Sequence, residues 1–235
     1  MKTLDSHPNA HRYSLRALAA LLGYPDATLR QHLPELLQAL TDEATLPPSR
    51  LQEIQALAQT LSVRDAMEIE ARYVDTFDRG RATSLHLFEH VHGDSRDRGP
   101  AMVDLAQTYA KAGLHLSPEE LPDHLCVVLE FASTQPPALA QAFLAEIAHI
   151  LTAIFSALLK RESPYATVLA AVLELAGQRV QAVPIVADAP LDDSWAEPEV
   201  FGGCSTQGQN KPGQAQPLHF VRTPSSKAPQ PGVPA

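Results

Sequence analysis

A chain of 235 residues with a hydrophobic fraction of 45% can bury a core without metal ions or disulfide bonds, in one domain or at most two small ones. The formal net charge of -9 disfavours binding to nucleic-acid phosphates. The charge would attract a basic partner, although a charge of this size also serves solubility alone. The two cysteines, Cys126 and Cys204, form no CxxC pair, and a reducing compartment fits better than an oxidising one.

The N-terminus lacks the pattern of a secretory signal, and no run of about 18 apolar residues predicts a membrane-spanning helix. We therefore expect a cytoplasmic protein that is not embedded in a membrane. Apolar residues recur with a period near 3.6 from Arg12 to Gln181, and no segment shows the strict alternation of a strand. This pattern predicts an all-α fold, a single compact bundle of about eight helices.

Glycine and proline residues mark most of the predicted connections between helices. In chain order, the predicted helices span residues 12–22, 26–40, 49–61, 63–77, 100–113, 121–134, 138–160 and 164–181. Pro34 is expected to kink or split the second of them, because proline removes a backbone hydrogen bond. The stretch from Asp78 to Gly99 is predicted to be irregular or only briefly helical.

The composition changes near the C-terminus, where nine prolines and five glycines fall between Pro184 and Ala235. We predict a helical domain over residues 1–183 and a disordered tail over residues 205–235, which has too few apolar residues to form a core. The segment between them, residues 184–204, contains Trp195 and Phe201 beside acidic residues. It either docks onto the bundle or binds a partner.

The first candidate for chemistry is the HxxEH pattern formed by His86, Glu89 and His90, which is typical of inverted zinc metallopeptidases. On one helix, the two histidines would share a face and could hold zinc, with Glu89 as the general base. The alternative is a local polar cluster in which imidazole and carboxylate groups hydrogen-bond to each other. Because the motif is short and no third ligand stands out downstream, the metallopeptidase is the less favoured hypothesis.

The second candidate is the loop from Gly93 to Pro100, which precedes a predicted helix and contains Arg96 and Arg98. Backbone N–H groups at a helix N-terminus, together with these arginines, could bind the phosphate of a nucleotide or a pterin. The alternative is a solvated loop in which Asp94 and Asp97 pair with the arginines and cap the helix.

Several apolar residues surround this loop. They are Tyr73, Phe77, Leu85, Leu87 and Phe88. Either they line a groove that binds an amphipathic peptide, or they belong to the core. The helical spacing of Tyr73 and Phe77 favours the core for these two residues.

The segment from Tyr73 to Leu105, YVDTFDRGRATSLHLFEHVHGDSRDRGPAMVDL, closely resembles the central motif of one protein family. This is the NarJ family of nitrate reductase molybdenum cofactor assembly chaperones, or delta subunits, within the TorD-like redox-enzyme maturation chaperones. The sequence SLRALAALLGYPD resembles the first helix of that family, and DDSWAEPEVFGGC resembles its C-terminal signature. The resemblance spans about Tyr13 to Cys204.

This resemblance implies an all-helical chaperone that is not an enzyme and has no catalytic residue, metal or cofactor of its own. Its partner would be the catalytic (alpha) subunit of respiratory nitrate reductase, bound through a basic N-terminal peptide. The chaperone would keep that subunit competent for insertion of the molybdenum cofactor and an iron–sulfur cluster, and would delay membrane docking. The partner-binding residues carried over from the family motif are Tyr73, Phe77, Asp78, Arg79, Leu87, Phe88, Glu89, His90, His92, Asp94, Arg96 and Arg98.

Overall fold

The computed structural model describes residues 11–93 and 95–184, and within these ranges it contains helices and a single isolated β-bridge but no strand. The α-helices are α1 (Arg12–Leu21), α2 (Ala27–Glu43), α3 (Pro48–Val63), α4 (Ala66–Phe77), α5 (Leu87–Val91), α6 (Arg98–Lys111), α7 (Leu125–Thr134), α8 (Pro137–Glu146), α9 (Ala148–Lys160) and α10 (Ala166–Leu175). One 3-10 helix, Arg81–Thr83, lies between α4 and α5. The predicted all-α class is confirmed. The predicted segments 184–204 and 205–235 lie outside the described residues, except for Pro184.

A side chain at the end of α2 caps the first turn of α1, although the two are distant in the sequence. The carboxylate of Glu43, the last residue of α2, accepts hydrogen bonds from the backbone N–H groups of Tyr13 (3.0 Å) and Ser14 (2.6 Å). These N–H groups lie in the first turn of α1 and have no partner within that helix. Asp26 caps α2 in the ordinary way, accepting from the backbone N–H of Leu29 at 2.7 Å. Backbone N–H groups at the N-terminal ends of α1 and α2 therefore donate short hydrogen bonds to carboxylates.

The second helix continues through Pro34, so the expected split does not occur. Pro34 lies on the exposed side of α2, where water can donate to the carbonyl that the missing N–H leaves without a partner. The neighbouring apolar residues Leu33 and Leu40 are buried and hold the helix against the core. Packing therefore outweighs the local cost of the proline.

The helix predicted over residues 138–160 is two helices, α8 and α9, which are bent by 66° at Ile147. Ile147 has φ -93° and ψ 3°, outside the regular helical range, although no glycine or proline marks the position. The bend lets α8 pack against α7 while α9 packs against α10 and the 3-10 helix. No single helix among the described residues is long and apolar enough to cross a membrane, and α8 and α9 meet those criteria only together, as a bent pair.

The centre of the bundle is α10, in which every residue except Glu174 is buried. Helices α1, α3, α8 and α9 pack around it. Glu174 accepts a hydrogen bond from Arg50 of α3 at 2.9 Å, and this half-buried ion pair ties α3 to the central helix. The helix ends at Leu175, and after it the N–H groups of Gly177 and Gln178 donate to the carbonyls of Glu174 and Leu173. This is the hydrogen-bond pattern of a Schellman motif.

The backbone conformation just after α10 favours glycine at position 177. Gly177 has a φ of +72°, and a Cβ added there would lie 2.5 Å from Nε2 of Gln141. We expect Gly177→Ala to lower the free energy of unfolding by about 1–2 kcal/mol, because L-residues are strained in the left-handed region. Urea unfolding followed by far-UV circular dichroism measures this change.

Gly99→Ala is the matched control, since Gly99 lacks a positive φ and an added Cβ would meet no atom within 4 Å. This control should leave the free energy of unfolding nearly unchanged. Equal losses in the two variants would contradict the role assigned to Gly177.

Candidate partner-binding site

The connection between α4 and α6 contains little regular structure, as predicted. Backbone hydrogen bonds to a segment that is distant in the sequence hold it in place. The N–H of Leu87 donates to the carbonyl of Asp123 at 3.0 Å, and the N–H of Leu125 donates to the carbonyl of Leu85 at 2.8 Å. Between these bonds, His86 and His124 form an antiparallel β-bridge. The family-like motif is therefore fixed onto the residues that precede α7.

Asp123 is the centre of this arrangement and has no solvent exposure. Its Oδ2 accepts the backbone N–H of Phe88 at 3.1 Å, and its Oδ1 lies 3.4 Å from Nδ1 of His86. The guanidinium of Arg98 lies 3.9 Å from the same carboxylate. Burial acts to raise the pKa of Asp123, but these three partners outweigh it and hold the pKa below its usual value. The carboxylate is therefore ionised in the interior of the protein.

The pKa values of the two bridge histidines are shifted in opposite directions. Their rings are in edge contact, with centroids 4.9 Å apart. The hydrogen bond to Asp123 raises the pKa of His86, whereas burial, followed by the charge of His86, lowers the pKa of His124. Between the two pKa values, His86 is an imidazolium and His124 is neutral.

The zinc hypothesis required His86 and His90 to share one helix face, and this prediction is wrong. His86 precedes α5 in an extended conformation, with φ -85° and ψ 104°, and its Nδ1 faces Asp123. His90 lies in α5, and its Nε2 is 2.9 Å from the carbonyl oxygen of Ser84. Among the described residues, no group of three histidine, cysteine or acidic side chains could hold a metal ion. The alternative interpretation, a local polar cluster, matches the observed contacts.

The loop considered as an anion site has its second arginine engaged within the protein. The guanidinium of Arg98, the first residue of α6, lies 3.5 Å from the carboxylate of Glu89. Together with its approach to Asp123, this contact places Arg98 between two acids, as an ion-pair partner rather than an open anion receptor. Arg96 is exposed.

The predicted partner-binding residues differ in exposure. The buried ones are Tyr73, Phe77 and Leu87. The half-buried ones are Phe88, Glu89, His90, His92 and Arg98. The exposed ones are Asp78, Arg79 and Arg96, while Asp94 lies outside the described residues. Only the exposed and half-buried groups present surface that a partner can reach in this conformation.

The buried aromatic residues of the motif form a packed row. The ring of Tyr73 lies between those of Tyr24 and Tyr165, at centroid distances of 5.5 and 5.9 Å, and also contacts Phe77 at 4.8 Å. The Tyr73 hydroxyl donates to the carbonyl of Leu22 at 2.7 Å. Edge contacts of this kind add to the energy of burial. Tyr73 therefore joins the motif to the end of α1.

A groove with a volume of about 450 Å³ opens beside the histidine bridge. We call it the acidic groove; its lining residues are Gly23, His86, Glu119, Glu120, Leu121, His124, Cys126, Val127 and Glu130. The three glutamates are exposed, and within the described ranges none of them forms an ion pair. Burial raises the pKa of the Cys126 thiol to about 12, so this residue contributes a neutral, weakly polar surface.

None of the residues that line the acidic groove was among the predicted partner-binding residues, and His86 was considered only as a zinc ligand of the less favoured metallopeptidase. Glu119 and Glu120 are adjacent in the sequence just before α7, and this pair was the available signal. The sequence does not indicate that Glu130, which lies within α7, lines the same groove. An acidic rim beside exposed Leu121 suits a ligand that is both basic and apolar.

The sequence profile of the family described as "Nitrate reductase delta subunit" matches residues 24–171 of this chain. The chain is 40% identical over 193 residues to the "Nitrate reductase molybdenum cofactor assembly chaperone NarJ" of Escherichia coli (strain K12). That alignment covers 78% of this chain and 82% of the relative. A probable chaperone of the same name from Bacillus subtilis (strain 168) is 33% identical over 166 residues, with 69% and 89% of the two chains covered.

Among solved structures, the fold is similar to that of a "Putative Redox Enzyme Maturation Protein" from Archaeoglobus fulgidus. The TM-score is 0.51 at 21% sequence identity, and the match covers 76% of this chain and 100% of the other. At this level of identity the similarity concerns the fold alone.

The central role of Asp123 can be tested with Asp123→Asn, which keeps the shape of the side chain and removes its charge. We expect the pKa of His86 to fall towards its ordinary value, measured by NMR titration of the imidazole protons, while the wild-type protein keeps His86 above His124. The free energy of unfolding should drop by about 2 kcal/mol, because a charged hydrogen-bond acceptor is lost.

The sign of the pH dependence follows from the raised pKa of His86. Its stabilising contribution is complete below the ordinary histidine pKa of about 6.5 and is lost as the pH rises through the folded-state pKa. The stability gap between wild type and Asp123→Asn should therefore be larger below that range than above it. A gap that grows with rising pH would contradict the pairing.

Proposed function

The chain belongs to the nitrate reductase delta subunit family, and we propose that it acts as a system-specific chaperone for a respiratory nitrate reductase. It binds the basic N-terminal segment of the immature catalytic (alpha) subunit. While bound, it supports insertion of the molybdenum cofactor and an iron–sulfur cluster before that subunit docks at the membrane. The role is that of a binding protein in the cytoplasm rather than of an enzyme.

The observation that carries this proposal is the acidic groove beside the family-like motif. The groove presents Glu119, Glu120 and Glu130 to solvent, and it lies next to exposed Leu121 and half-buried Val127. A helical peptide with basic and apolar side chains matches such a groove, since carboxylates meet its cations while its apolar face loses contact with water. Because the three carboxylates are exposed, the attraction is moderate and allows the client to leave after maturation.

The family-like motif serves the groove mainly by shaping it. His86 lines the groove, and the buried carboxylate of Asp123 fixes His86 and the start of α5. The half-buried residues Phe88 and Glu89 follow directly in the chain, so the peptide can extend from the groove onto them. The buried residues of the motif would then support the site without touching the peptide.

Isothermal titration calorimetry with the N-terminal peptide of the catalytic subunit from the same organism tests the proposal. We expect the triple variant Glu119→Gln, Glu120→Gln, Glu130→Gln to bind the peptide about tenfold more weakly, because three exposed charge pairs are lost. Rising salt should weaken binding to the wild-type protein and should affect the variant much less.

The matched control is the triple variant Glu35→Gln, Asp104→Asn, Glu146→Gln, which removes three exposed negative charges outside the groove. It should bind the peptide like the wild type, apart from a small long-range effect at low salt. A comparable loss of affinity in both triple variants would show that net charge, and not the groove, attracts the peptide.

A further inference from the structure

A second groove, lined by different residues, lies between α3, α4 and the turn after α9. Its volume is about 240 Å³. The apolar lining includes Leu57, Leu61, Ile69 and Pro164, and the rim includes Arg64, Arg72 and Arg161. We call it the arginine groove. It shares no lining residue with the acidic groove.

One carboxylate on α4 serves two of the rim arginines. Oε1 of Glu68 lies 3.0 Å from a guanidinium nitrogen of Arg64 and 2.8 Å from one of Arg72. One negative charge therefore faces two positive charges, and the group as a whole keeps a surplus positive charge. All three side chains are substantially exposed, so their free donors point towards solvent or a ligand.

The same arrangement recurs two turns further along α4. Asp75 lies 3.4 Å from Arg79 and 3.4 Å from Arg161, so that again one carboxylate faces two guanidinium groups. Arg161 also donates to the backbone carbonyl of Asp75 at 2.9 Å, which fixes its position at the rim. Among the residues that line the groove, Arg64, Arg72 and Arg161 stand against two acids, Asp75 and Glu162. The rim therefore keeps one net positive charge in a chain whose formal charge is -9.

Two residues that line the arginine groove have buried hydroxyl groups. The hydroxyl groups of Ser163 and Tyr165, both lining residues, are buried and form no hydrogen bond within the described part of the chain. Tyr165 as a whole is only 5% exposed. A buried hydroxyl without a partner is unfavourable, and a nearby acceptor would relieve that cost.

Two large apolar side chains close to Arg64 in the sequence are exposed. Val63 directly precedes Arg64 and is 77% exposed, and Met67 follows it by three residues and is 78% exposed. Exposed apolar residues next to arginines are common where proteins bind each other, and methionine adapts well to varied partners. The surface around the arginine groove thus combines apolar contact area with guanidinium donors.

We propose that the arginine groove binds a short apolar segment of a protein partner that carries a carboxylate. A single carboxylate matches the one surplus positive charge and can accept paired N–H donors from an arginine. A phosphate dianion fits less well, because Asp75 and Glu162 in the lining would repel its second charge. This site is opposite in charge to the acidic groove and goes beyond the binding of a basic peptide.

Fluorescence anisotropy with a dye-labelled probe tests the proposal on the full chain. The probe is a synthetic acetylated pentapeptide of leucine and phenylalanine residues with one central aspartate, and the comparison peptide has asparagine in its place. We expect the aspartate peptide to bind, and the double variant Arg64→Gln, Arg72→Gln to weaken its binding about tenfold, as expected for the loss of charged hydrogen bonds. Binding of the basic peptide in the acidic groove, measured on the same samples, should not decrease.

The matched control is Arg12→Gln, Arg16→Gln, which removes two exposed arginines from α1 and should leave binding of the aspartate peptide unchanged. Circular dichroism confirms that both double variants keep their helix content. Equal binding of the asparagine peptide, an equal loss in both double variants, or no binding at about 1 mM peptide would overturn the proposal. Complete displacement by inorganic phosphate at constant ionic strength would also overturn it, because it would identify a general anion site.

Discussion

Removing a carboxylate from water is strongly unfavourable unless its charge and lone pairs are matched, and the path of the family-like motif depends on how Asp123 is matched. The backbone of Phe88, the imidazole of His86 and the guanidinium of Arg98 all approach this one buried group. Phe88 and His86 come from the stretch between α4 and α6, which has little regular structure of its own, and Arg98 is the first residue of α6. This segment is therefore held by one buried charge together with the two backbone hydrogen bonds beside the histidine bridge.

The negative potential at the acidic groove does not come from this buried charge. The charge of Asp123 is compensated inside the protein by His86 and Arg98, so it adds little to the field of the acidic groove. The field there comes from Glu119, Glu120 and Glu130, which are exposed and screened by salt. The buried charge thus sets the geometry of the motif, whereas the exposed charges are the ones that the proposed function assigns to partner binding.

The sequence predicts the features that depend on local periodicity and misses those that depend on distant packing. The helices and the irregular stretch after α4 follow from the spacing of apolar residues. The break at Ile147 does not, because the helical pattern continues through it and only the packing of α8 and α9 on different neighbours requires the bend. His86 and Asp123 are 37 residues apart, and nothing local joins them. The HxxEH pattern predicted a shared helix face because it assumed that the helix starts one residue earlier than Leu87.

The aromatic row explains why a motif that resembles a recognition segment contains buried residues. Gly23 lines the acidic groove, and the adjacent Tyr24 contacts Tyr73, which in turn contacts Tyr165 in the wall of the arginine groove. Close-packed rings transmit displacement because they leave no space to absorb it. Tyr73 is also held by its hydrogen bond to Leu22, so it cannot shift without disturbing the end of α1. Tyr73 therefore contributes to the motif through packing and one hydrogen bond and not through an exposed surface.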